Sequence, residues 1–111
     1  MKLLLHECMP IDLRHSFSSH ETHSVQWAGL KGKSNGELLR LAEAAGYDIL
    51  LTVDPGIPYQ QSFAGRRIAV IAVQSMTNQI EDLLPMVDSI LRALEIIRPG
   101  QILAIPLESA Q

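Results

Sequence analysis

Three carboxylates and one imidazole have the types and the spacing to do chemistry. His6 and Glu7 follow a short apolar run at residues 2–5, and Asp54 follows a second run at 48–53. Glu37 lies in the first turn of a helix announced by Ser34-Asn35-Gly36-Glu37. Hard oxygen donors from separated elements suit Mg or Mn, which keep several waters and share other positions with phosphate oxygens. A set made of Glu7, Glu37 and Asp54 would hold an attacking water in line with a scissile phosphodiester. His6 would add a further metal ligand or a general base. Each residue also has an ordinary reading. Glu37 and Ser34 have the S-x-x-E spacing of a capping box. Asp54 before Pro55-Gly56 suits a turn, Glu7 a solvated loop, and His6 a plain strand-end histidine.

The remaining chemical side chains are weaker candidates. His20 and His23 have H-x-x-H spacing, which on a strand sends them to opposite faces and argues against a shared zinc. His15 falls on an exposed helix face. Cys8 has no activating partner evident in the sequence and reads as a small buried residue. Lys31, Lys33 and Arg40 flank Glu37, and Arg66-Arg67 precede a strand; these local clusters suit contacts to a phosphate backbone. The segment GLKGKSNG has neither P-loop spacing nor G-x-G-x-x-G, so a nucleotide cradle is not expected there.

Alternating elements must position these residues. Residues 2–5 (KLLL) suit a buried parallel strand. Pro10 opens a helix over 10–17, with Leu13 and Phe17 on its inner face. Residues 21–26 form a second strand. A helix starts at the Ser34 cap, carries Leu38, Leu41, Ala42 and Ala45, and stops at Gly46. Strands follow at 48–53 and 67–73, separated by a loop at 57–66 with one helical turn around Tyr59–Phe63. The longest helix spans 78–97, capped by Thr77 or Asn78, with a kink or break at Pro85. A last strand covers 101–105.

Strands alternating with helices predict an α/β three-layer sandwich with a mostly parallel five-stranded sheet. The expected order is 2-1-3-4-5, which brings the carboxyl ends of the first and third strands into one crevice. His6-Glu7 and Asp54 would meet there.

Composition narrows the class. The chain has 111 residues and reads as one domain, 1–111, large enough for its own core. Nine Lys+Arg against twelve Asp+Glu give a net charge of -3, which argues against nucleic-acid binding by bulk positive charge, although a metal can supply charge locally. Two Phe, two Tyr and one Trp argue against a base-stacking platform. The single Cys8 forbids an internal disulfide and fits a reducing, cytoplasmic setting. No apolar run approaches membrane length, so no membrane association is expected.

MKLLLHECMP, then SNGELLRLAEAAGYDILLTVD, then YQQSFAGRRIAVIAV and finally IRPGQI together resemble the short bacterial PIN-like proteins. Members of that family open with an apolar strand and D-E-x-x-P. They continue with N-G-E-L-L on a helix, L-x-T-x-D, and Y-Q-Q-N-x-A-G-R-R. The resemblance covers nearly the whole chain. It implies a PIN-like fold with an acidic, Mg- or Mn-binding crevice, and kinship with the ribonuclease toxins of toxin–antitoxin pairs. Glu7 matches the acid of D-E, Glu37 that of N-G-E, and Asp54 that of T-x-D. Asn35 and the trio Tyr59, Gln60 and Gln61 also match, and with Lys33 they are the substrate-side candidates. Two departures stand out. The leading Asp of D-E-x-x-P is His6 here, and Pro55-Gly56 replace the polar residues that usually follow T-x-D. The resemblance therefore implies one of two functions. The first is a metal-dependent endoribonuclease acting on RNA, with a small antitoxin protein as partner. The second is a catalytically degenerate PIN-like binding protein, partnered by another small protein or by itself as a homodimer.

Overall fold

The computed structural model describes residues 1–57 and 66–106. Strand β1 spans Lys2–Leu5, β2 Glu21–Ser24, β3 Ile49–Thr52, β4 Ala69–Val73 and β5 Ile102–Ile105. They form one sheet in the order β2-β1-β3-β4-β5, and every neighbouring pair is parallel. Strands β3 and β4 are covered on both faces and all their residues are buried, every one apolar except Thr52 at the end of β3.

Period-two alternation divides the core between the two faces. Leu4, Leu50 and Val70 pack with Leu38, Leu39 and Ala42 of helix α1 (Asn35–Ala44). Leu3, Leu5, Ile49, Leu51 and Ile71 face the other way, onto Leu13 and Phe17 and onto the C-terminal helices. The result is the three-layer α/β arrangement and strand order expected from the sequence.

Local chemistry explains the helix boundaries. Ser34 caps α1, its Oγ accepting from the Glu37 N–H at 3.4 Å. At the far end Gly46 takes φ +88°; its N–H donates to the Glu43 carbonyl, and the Tyr47 N–H reaches back to that of Ala42. This pair of bonds is a Schellman closure, which needs a residue at ease in the left-handed region.

Two elements differ from expectation. The segment after Pro10 is a 3-10 helix over Ile11–Phe17, although Leu13 and Phe17 are buried as expected. The Leu13 N–H bonds the Pro10 carbonyl at 3.1 Å, three residues back, which winds the segment more tightly than an α-helix. The expected helix over 78–97 starts late and is broken. It comprises α2 (Ile80–Leu83), a 3-10 turn (Leu84–Met86) and α3 (Val87–Ile96). Pro85 sits in the 3-10 turn, where its missing N–H interrupts the helical ladder. Neither Thr77 nor Asn78 occupies the cap position of α2, which is held by Gln79. Thr77 instead accepts from the Gln79 N–H at 3.0 Å and bonds Asp82, and Asn78 donates to the Cys8 carbonyl at 3.0 Å. Among the described residues no helix is long and apolar enough to cross a membrane.

Candidate functional site

The carboxyl ends of β1 and β3 meet at a buried polar cluster. The β1–β3 register pairs Leu5 with Leu51, so the next residues, His6 and Thr52, come side by side. His6 is buried and Thr52 fully so. His6 Nδ1 lies 2.9 Å from Thr52 Oγ1 and 3.1 Å from Cys8 Sγ, and the sulfur lies 3.6 Å from the same hydroxyl. Thr52 Oγ1 also accepts from the Asp54 N–H at 3.0 Å, leaving its own proton for His6 or Cys8. The backbone fixes the frame: the His6 N–H donates to the Leu51 carbonyl and the Met9 N–H to that of His6, both at 2.9 Å.

The electrostatics of the pair follow from this contact. Burial opposes charge on His6, but the hydrogen bond to Cys8 and the charges of Cys8, Asp54 and Glu7 outweigh it and raise the imidazole above its ordinary pKa. Burial likewise opposes a Cys8 thiolate. The hydrogen bonds from His6, the Val53 N–H and Thr52, with the His6 charge, outweigh that and lower the thiol below its ordinary value. The two shifts share one cause among several, since charge on either group stabilises charge on the other. A half-buried cysteine beside an imidazole is the setting in which a thiol gains thiolate character. Cys8 thus has the partner that the sequence alone did not reveal. Its signal was the two-residue spacing from His6 across a strand-end turn.

The expected acids are distributed unevenly. Glu7 and Asp54 are half-buried, and both stand close enough for their charge to act on His6. Asp54 also does turn work: its Oδ1 accepts from the Gly56 N–H at 2.8 Å. Glu37 is exposed at the start of α1, where its carboxylate lies 3.9 Å from Lys33 Nζ. Asn35, half-buried, is the first residue of α1. Tyr59, Gln60 and Gln61, with the helical turn expected around them, lie outside the described residues. Among the described residues no three His, Cys, Asp or Glu side chains are grouped to hold a metal ion.

The other candidates have structural partners. His23 Nδ1 lies 2.9 Å from the Tyr47 hydroxyl, and His20 Nδ1 lies 3.3 Å from the terminal amine. The backbone N–H groups of Arg67 and Ile68 donate to Glu43 Oε1, and these bonds, with the nearby charges of Arg67 and Arg66, lower the Glu43 pKa. The basic pair ahead of β4 therefore faces a carboxylate. No protein-family model, curated protein or solved structure matches the chain.

Proposed function

We propose that this chain is a PIN-like domain that binds without cutting: a catalytically degenerate member whose crevice is held by side-chain hydrogen bonds where a nuclease would hold a metal. The observation that carries this reading is the bonding of His6. At the position of the first acid of the resembled family stands an imidazole whose Nδ1 is engaged by Thr52 and Cys8. The donor set does not fit a hard divalent cation as placed. One of its acids, Glu37, is paired with Lys33, and an Asp54 oxygen is committed to its own turn. Mg and Mn favour carboxylate and water oxygens over imidazole or thiol. The competing reading is an Mg- or Mn-dependent ribonuclease with its antitoxin. It draws on the closeness of Glu7 and Asp54 to His6.

Calorimetry with Mn²⁺ separates the two. The native chain is expected to show no saturable Mn²⁺ binding, and His6→Asp to create it. EDTA-sensitive cleavage of single-stranded RNA that is lost on Asp54→Asn would overturn the binding reading and restore the nuclease.

A further inference from the structure

A second feature lies on the neighbouring strand β2, at the free edge of the sheet, where Ser24 pairs with Leu5, the residue before His6. A groove of about 510 Å³ is lined by Ile11, Arg14, Thr22, His23, Gln26 and Trp27, among others. That volume is within the range of small-molecule sites. Trp27 is 71% exposed, a large apolar surface left open to solvent. Its indole stacks on His23 with ring centroids 4.0 Å apart. His23 in turn is fixed by the Tyr47 hydroxyl at 2.9 Å. The loop carrying Trp27 is tied down as well. The Trp27 N–H donates to Ser24 Oγ at 3.0 Å, the Ala28 N–H to the Ser24 carbonyl at 3.0 Å, and the Leu30 N–H to that of Val25 at 3.0 Å. The indole is therefore presented by a braced turn.

The groove's polar groups are those that a nucleotide would engage. The residues lining it include no carboxylate, although the chain as a whole is acidic. Glu21 stands at the groove's margin, its carboxylate 3.9 Å from Lys2 Nζ and 3.8 Å from Nε2 of the groove residue His23. Arg14 uses one guanidinium N–H on the Ile11 carbonyl at 3.3 Å, which leaves others for an anion. The strand edge adds donors. The Glu21 and Val25 N–H groups point to β1, bonding the Met1 and Leu5 carbonyls, so alternation turns the Thr22 and Ser24 N–H groups outward.

We propose that this groove binds a nucleotide, free or within single-stranded RNA, with the base on the open side of Trp27 and the phosphate beside Arg14. Few aromatic residues argue against a platform for many bases, but one braced indole is enough for one base. The groove shares no lining residue with the His6 cluster, and the proposal holds whether or not that crevice binds metal.

Trp27 is the single tryptophan of the chain, so its fluorescence reports the site directly. The titration is run in EDTA with adenosine monophosphate, adenosine, inorganic phosphate and an oligoadenylate. Saturable quenching by adenosine monophosphate supports the free-nucleotide form, and quenching by the oligoadenylate alone supports the RNA form. Trp27→Ala, followed by calorimetry and checked for folding by circular dichroism, is expected to weaken binding about tenfold or more. Arg14→Gln is expected to weaken the nucleotide several-fold while leaving adenosine unchanged. No saturable quenching by either phosphorylated probe up to about 10 mM, or binding indifferent to Trp27→Ala, would overturn the proposal. So would binding of the nucleotide and adenosine that is equally indifferent to Arg14→Gln.

Discussion

Replacing Thr52 by valine tests the buried cluster most directly. The swap preserves shape, so any loss reports the hydroxyl and not a cavity. Thr52 Oγ1 bonds His6 Nδ1 at 2.9 Å and accepts from the Asp54 N–H at 3.0 Å, and the residue has no exposed surface. A net hydrogen bond contributes about 0.5–1.5 kcal/mol, and a buried donor left without a partner costs about 1–3 kcal/mol. Losing the His6 bond and stranding the partly buried Asp54 N–H should therefore destabilise the fold by about 2 kcal/mol. At about 4–8 °C per kcal/mol for a domain near this size, the melting temperature should fall by about 8–16 °C. Urea unfolding should show a lower midpoint with an unchanged slope, which separates lost stability from a changed unfolded state. Thr52→Ser, which keeps the hydroxyl, should retain the Asp54 bond and lose less. A Thr52→Val loss below about 0.5 kcal/mol would refute the reasoning, because it would mean that the hydroxyl holds nothing in place.

The Cys8–His6 pair should be visible as a pH profile. Iodoacetamide should alkylate Cys8 below the ordinary thiol range, and His6→Ala should move the profile upward; mass spectrometry against pH reads both, and identical profiles would dissolve the pair. The raised His6 pKa stabilises the fold fully below pH 6.5, its ordinary value, and that part is lost as pH rises through the folded value. The lowered Cys8 pKa acts in the opposite sense: its part is present above pH 9.0, the ordinary thiol value, and is lost as pH falls through the folded one. Leu50→Ala should cost about 2–5 kcal/mol, because Leu50 is fully buried in a central strand; urea titration measures it. Gly46→Ala should cost about 1–2 kcal/mol, because φ is +88° there and the Schellman closure of α1 requires it; a thermal midpoint equal to that of the native chain would contradict this.

Much of the fold was legible in patterning. KLLL, DILLTV and RIAVIAV read as buried strands because strands covered on both faces leave no polar side to alternate with. The Ser34 start and Gly46 stop of α1 were legible because both are local devices, settled by a side-chain oxygen and by a backbone angle. Pro85 announced the break in the C-terminal helix. The start of that helix was misread because Thr77 and Asn78 bond other partners, and one of those, the Cys8 carbonyl, is 70 positions away.

The candidate site was only half legible. Its place at the carboxyl ends of β1 and β3 followed from element order and the rule for parallel sheets. Its chemistry did not, because hydrogen bonding depends on register. His6 meets Thr52 across 46 positions only because Leu5 pairs with Leu51, and Cys8 joins them through a turn that folds back by two residues. Glu37 shows the converse: its motif position was plain, yet its carboxylate pairs with the Lys33 ammonium four residues back. The sequence by itself determined which segments are strands and where helical segments lie, because these follow from burial and local backbone chemistry, while element order and the rule for parallel sheets pointed to β1 beside β3. Only the tertiary structure decided that His6 lies against a thiol and a hydroxyl and that Trp27 stands braced at an open edge, because both depend on distances between segments that no local pattern encodes.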